Sequence, residues 1–219
     1  MDRDAEDRKQ GSAAERLMDA AEILIGERGR NGVSLREISR MAGQRNNYAV
    51  QYHFGDYLGL LRAHEARRIA QMEQRRAILY VQASSAGKLG DLRTLTDLLY
   101  LPVIDFRAAD GERRYARFVL ATLSGSPDAL IDREAMAAAA ESNRVLEQMG
   151  KLLPWLPMPL LIERQRLIAI MVLTSIFNRR APFDAPSEDQ ALVDNALDMA
   201  SSAVQAPVPS GLSGLVAAG

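Results

Sequence analysis

Between Arg45 and Gln51 the chain reads Arg-Asn-Asn-Tyr-Ala-Val-Gln, and Tyr52 and His53 follow directly. A carboxamide sets a donor beside an acceptor and matches the N6/N7 edge of adenine. A guanidinium matches O6 and N7 of guanine, and each such pair discriminates by roughly 1 to 3 kcal/mol. That chemistry needs the side chains on a short rigid element whose other face is apolar. Val50, Phe54, Leu58 and Leu61 recur at spacings of four, four and three, a stripe on which such an element can pack, leaving Arg45, Asn46, Asn47, Tyr48 and Gln51 pointing away from it.

The preceding residues place this element. Ser34 accepts at a helix N-terminus and Glu37, three residues on, reaches back as the other half of a capping box, so a helix is expected from Leu35. Leu35, Ile38 and Ala42 share one face, with Arg36, Ser39 and Arg40 outside. Gly43 ends that helix, because glycine takes the left-handed cap conformation without a Cβ penalty. Upstream, 13–28 reads as an amphipathic helix with Leu17, Ala20, Ala21, Leu24 and Ile25 on one face. The whole is a helix, a sharp turn and a second short helix, the geometry that lays a recognition helix in the major groove.

On these pieces, residues 13 to about 61 resemble the N-terminal domain of the TetR/AcrR family of transcriptional regulators. The matching residues are Ala20-Ala21, Glu27-Arg28-Gly29, Val33-Ser34-Leu35-Arg36-Glu37-Ile38, Ala42-Gly43 and Tyr52-His53-Phe54. The resemblance implies an all-α protein of about nine helices. It implies a three-helix helix-turn-helix DNA-binding domain over 13–56 and a larger helical effector-binding and dimerisation domain over 57–205. Residues 1–12 are expected to be a mobile arm, either a solvated tail or a minor-groove contact, and 206–219 a disordered tail. The DNA-binding residues implied are Ser34, Arg45, Asn46, Asn47, Tyr48, Gln51, Tyr52, His53 and Tyr57.

Two departures from the family pattern bear on affinity. One extra residue lies between Gly43 and His53, within 44–48, which shifts base contacts by a position. After Phe54 the chain reads Gly-Asp-Tyr-Leu rather than offering the usual lysine. Tyr52, His53 and Tyr57 are neutral donors in its place, so fewer counterions are released on binding and the salt dependence is expected to be shallow.

Composition agrees. The 219 residues carry a net charge of -1, yet 28–54 holds five arginines against one glutamate, a positive patch confined to the proposed reading head. Absence of cysteine excludes a disulfide framework and thiolate metal sites and fits a reducing, cytoplasmic setting. The charged N-terminus has no signal-peptide pattern, and no apolar run approaches the roughly 20 residues of a membrane span.

A long helix is expected from Tyr57 to Gln82, with Arg62, Arg67, Arg68, Arg75 and Arg76 on a mostly solvated face. Further helices are expected over 91–109, kinked by Pro102, over 112–124, and over 129–149 behind Ser126-Pro127. Pro154, Pro157 and Pro159 make a rigid connection around Trp155. The last two helices read as 160–179 and 188–205, the latter opened by a Ser187/Gln190 capping box. Leu167 and Met171 on one, and Leu192, Ala196, Leu197, Ala200 and Val204 on the other, form a stripe of small and branched residues. It suits either packing within one subunit or a four-helix interface with a second copy, and the resemblance implies the latter. A homodimer would set two heads roughly 34 Å apart on a palindromic site.

Tyr100, Phe106, Tyr115, Phe118 and Trp155 fall where the resemblance implies an effector pocket, with Met136 and Met149 nearby. The same residues suit plain core. If they line a pocket, Asp105, Arg107 and Arg117 suggest a small apolar effector with one polar handle. Two histidines, scattered glycines and no nucleophile turn argue against an enzyme, a metal or a cofactor. The expected function is a homodimeric repressor on double-stranded DNA controlled by a small molecule. The alternative is a dimeric adaptor of the same fold with weakened or lost DNA binding.

Overall fold

The computed structural model of the protein describes residues 12–46, 48–125, 139–182, 185–209 and Gly211. The expected arm before Ser12, Asn47, the start of the helix expected over 129–149 with Pro127 and Met136, and the end beyond Gly211 lie outside the described residues. Nine α-helices make up the described structure with no strand among the described residues: α1 Ala13–Arg28, α2 Leu35–Met41, α3 Ala49–Phe54, α4 Tyr57–Ser85, α5 Leu92–Ile104, α6 Arg114–Leu123, α7 Ala140–Leu152, α8 Met158–Phe177 and α9 Asp189–Val204. The fold is all-α. They fall into two compact units, one drawn from Met1–Gln71 and Arg107–Ala138, the other from Met72–Phe106 and Ala139–Gly219. The first unit thus extends past residue 56 and takes in the start of α4 and all of α6.

In the first unit, Ser12 and Glu15 form a capping box that starts α1, and Leu17, Ala20, Ala21, Leu24 and Ile25 are buried as the 3.6 period requires. α1 packs along α6 and against α2 and α3. Ser34 and Glu37 start α2, with Ser34 Oγ accepting from the Glu37 amide at 3.3 Å. α2 ends in a Schellman motif: Gly43 has φ +68°, its amide donates to Arg40 O, and the Gln44 amide donates to Ser39 O at 2.9 Å. Ser39, expected outside, is fully buried, because a two-turn helix wedged between α1 and α3 covers more than one face. Leu58 also departs from expectation and is exposed, while Leu60 and Leu61 enter the core. The turn into α4 carries a hydrogen bond from the Gly59 amide to Asp56 Oδ1 at 2.7 Å. A Cβ at position 59 would sit 1.9 Å from Phe54 O, so the turn admits only glycine there.

In the second unit, Asp91 caps α5, accepting from the Arg93 and Thr94 amides. α5 ends at Ile104 rather than running to 109, and Pro102 sits inside it. Proline has no N–H for the Leu98 carbonyl. Arg76 supplies the missing donor, Nε to Leu98 O at 2.9 Å, and its Nη2 donates to the neighbouring Leu99 O at 3.1 Å. Arg76 is therefore buried, as is Arg68 in the first unit, against the expectation of a solvated arginine face. Arg62 and Arg75 do stay outside. Glu73, paired with Arg76, accepts from the Glu141 and Ser142 amides at 2.6 and 3.2 Å and so caps α7. α8 and α9 pack together, with α9 also against α5. α9 starts at Asp189 without a side-chain cap, so Ser187 does not play the expected part. Its far end is held by Arg164, which donates to Val204 O at 2.8 Å and Pro207 O at 3.1 Å.

Candidate nucleic-acid interface

α3 is six residues long and one face of it is spent on the core: Ala49 and Val50 are buried. Tyr48 at its N-cap, Gln51 and Tyr52 stand at i, i+3 and i+4 and so share the opposite face. All three are exposed, Tyr48 by 69% and Tyr52 by 84%. His53 is exposed beside them, its ring edge-on to Tyr52 at 4.9 Å. The turn leading in exposes Arg45 and Asn46. Arg45, Asn46, Tyr48, Gln51, Tyr52 and His53 are thus exposed on, or just before, the helix that follows the Gly43 turn.

Three of the nominated residues are committed elsewhere. Ser34 gives its hydroxyl proton to Glu37 Oε2 at 2.9 Å within the capping box, so it has no proton left for a phosphate. Tyr57 is half-buried and donates to Arg30 O at 2.9 Å, which removes it as a substitute for the absent lysine. Asn46 Oδ1 accepts from the Tyr48 amide at 2.9 Å, an Asx turn that orders the approach to α3 and engages the carboxamide oxygen. Arg28 is drawn out of the positive patch by an ion pair with Glu37 at 2.8 Å. The Ser34 amide, then Arg28 and the Ser34 hydroxyl, hold the Glu37 carboxyl down at about 2, so this exposed cap stays ionised.

Behind the head lies a cluster that sequence reasoning missed. Glu22 on α1 accepts from Arg68 Nε at 2.6 Å and Nη2 at 3.0 Å, and lies 2.7 Å from His64 Nε2. All three side chains are buried. Burial opposes ionisation of Glu22, but the hydrogen bonds from His64 and Arg68 outweigh it and hold the carboxyl below its ordinary value. Burial pushes the His64 imidazole down despite that carboxylate. The partners lie 42 and 46 residues apart in sequence, so no local pattern pairs them.

The residues expected to line an effector pocket divide between the two units. Tyr115 and Phe118 belong to the first unit and pack with His64, the Phe118 and His64 rings 4.5 Å apart. Tyr100 is buried in the second unit and donates to Gln165 Oε1 at 2.6 Å, and its burial raises the phenol's pKa. Phe106 is half-buried, and Trp155 is 47% exposed beside the Arg164 guanidinium. An open concavity of about 450 Å³ lies elsewhere, lined by Arg16, Asp19 and Ile23 of α1 and by Met41 to Gly43.

The dimer stripe divides. Ala196, Leu197, Ala200 and Val204 are already buried within the single chain, because α9 turns that face onto α8 and α5. Leu167 is exposed and Met171 and Leu192 are half-exposed. Met199, seven residues after Leu192, is exposed on the same side of α9 although sequence reasoning did not nominate it. No helix among the described residues is long and apolar enough to cross a membrane.

No family model and no curated protein matches this chain. Among solved structures, it is similar to a crystal structure from Mesorhizobium loti MAFF303099 described as a candidate TetR-family transcriptional regulator. The two are 13% identical with a TM-score of 0.44, over 87% of this chain and 95% of that one.

Proposed function

We propose that the protein is a transcriptional regulator of the TetR/AcrR kind, a homodimeric repressor that binds a palindromic site on double-stranded DNA and responds to a small apolar effector. The observation that carries this reading is the α2–Gly43–α3 unit. A Schellman turn joins two short helices, the second buries Ala49 and Val50, and it presents Tyr48, Gln51 and Tyr52 outward. An exposed surface of hydrogen-bonding and aromatic side chains on a helix backed by core has the build of a groove reader. Arg36, Arg40 and Arg45 are exposed around it and suit phosphates.

For dimerisation the support is the outward side of α8 and α9, where Leu167, Met171, Leu192 and Met199 are accessible. The four stripe residues buried within the chain take no part in this contact. The Arg45→Ala, Asn47→Ala double variant should lose specific binding to DNA beside the protein's own gene while remaining a dimer by sedimentation. Unchanged binding would discard the repressor. The adaptor alternative draws on the extra residue after Gly43 and on position 57, where the lysine usual in the family is replaced by a tyrosine whose hydroxyl is committed to Arg30 O. Any palindrome enriched by selection of bound DNA removes it.

A further inference from the structure

The outward face of α3 carries no arginine, lysine or carboxylate. Tyr48, Gln51 and Tyr52 make up that face, and Arg45 lies before the helix begins. Guanine is read chiefly by the fork of an arginine or by a lysine, and neither stands on this face. A glutamine there, with one donor and one acceptor at the end of the same carboxamide, matches N7 and N6 of adenine. Asn46, the neighbouring amide, has its oxygen engaged by the Tyr48 amide at 2.9 Å, and Gln44 is half-buried. That leaves Gln51 as the uncommitted carboxamide among the described residues of the head.

Tyr48 and Tyr52 flank Gln51 at i-3 and i+1 and are among the most exposed large side chains described. A tyrosine has an apolar ring and a polar tip, and two such rings exposed to water on one helix face are a surface prepared for contact. In the major groove the apolar feature is the C5 methyl of thymine, on the same base pair whose adenine offers N6 and N7. The two side-chain types on this face therefore match the two halves of one kind of pair.

Resting on the proposed DNA-binding function, we infer that α3 reads A·T pairs, with Gln51 on an adenine edge and the Tyr52 and Tyr48 rings on thymine methyl groups. Arg45 then contributes outside this core of the half-site, to a phosphate or a flanking base. The interface depends on methyl groups that can be removed from the DNA without altering any hydrogen bond of the duplex.

The experiment uses the full-length protein and a duplex obtained by selection from random sequence. Binding is titrated to that duplex and to one in which deoxyuridine replaces the half-site thymines, which deletes only the methyls. The expected result is an A·T core in the selected half-site and a loss of about fourfold in affinity per methyl removed. A Tyr48→Ala, Tyr52→Ala double variant should bind the two duplexes equally, Tyr52→Ala alone should shrink the difference, and Tyr52→Phe should keep it. The wild-type comparison alone decides the matter if a variant does not fold. Equal wild-type affinity for the two duplexes, or a selected core of G·C pairs, overturns the A·T inference while leaving the regulator standing. Failure to enrich any sequence overturns both.

Discussion

Arg68 and Arg76 leave the same helix about two turns apart and both are buried, but each belongs to a different unit and meets different chemistry. Arg68 faces a carboxylate, Glu22, which also holds His64. Arg76 faces the Leu98 and Leu99 carbonyls beside Pro102, with Glu73 at its side. The first is a charge cluster between α1 and α4, where removing one member strands the others. The second is the repair of a helix that proline has opened. Two arginines that look alike in sequence thus serve unlike ends, and the cost of losing each depends on what its partners are left with.

The sharpest break should come from Glu22→Ala. It removes the buried carboxylate from the Arg68 guanidinium, leaving the longer contact with the exposed Asp19 at 3.7 Å, and destabilisation of about 3–5 kcal/mol is expected in denaturant unfolding. A loss below about 1 kcal/mol, the range of exposed pairs, would mean that water reaches the cluster and that the contrast is one of degree. Arg76→Met should cost about 1–3 kcal/mol, the penalty for the buried Leu98 carbonyl left without a donor. Placing it on a Pro102→Ala background should recover part of that loss, since alanine restores an N–H toward Leu98 O. Strict additivity in the double-variant cycle would show that Arg76 does not compensate for the proline.

The smallest effect is the response to pH, because it turns on a single proton. The folded state holds the His64 imidazole below its ordinary value, so the unfolded chain takes up the proton first. Stability is complete above about 6.5 and falls as the pH drops below it, with Glu22 adding a further loss as its own depressed range is approached. His64→Gln should flatten the change in thermal midpoint between pH 7 and pH 5.5, values chosen to bracket the unperturbed imidazole. The chain's other histidine, His53, lies on the exposed head, and the second unit has none, so the effect belongs to the first unit. An unchanged slope in the variant would assign the acid sensitivity elsewhere.

Much of the head was legible because its signals are local. Ser34 and Glu37 are three residues apart, Gly43 sits at the left-handed position, and Ala13–Arg28 carries an unbroken helical period. Whether an exposed-looking residue is exposed was less legible. Ser39 is buried because α2 has neighbours on more than one side, and Leu58 is exposed because Leu60 and Leu61 take the core positions at the start of α4. Among the candidate contacts, the identities were readable while their availability was not. Ser34, Asn46 and Tyr57 carry suitable groups, yet Glu37, the Tyr48 amide and Arg30 O had already engaged them.

In the second unit the stripe on α9 was correctly read as apolar, but its period says only that a face is covered and not by what. Ala196, Leu197, Ala200 and Val204 are covered by α8 and α5 of the same chain. The sequence alone determined most of the helices, the Ser34–Glu37 cap and the Gly43 turn of the head, since these depend on side chains three or four residues apart. Only the tertiary structure decided which polar groups are engaged, which arginines are buried and which apolar face remains outside. Those outcomes depend on partners tens of residues away, such as Glu22 for Arg68, which chain folding brings into contact and local periodicity does not encode.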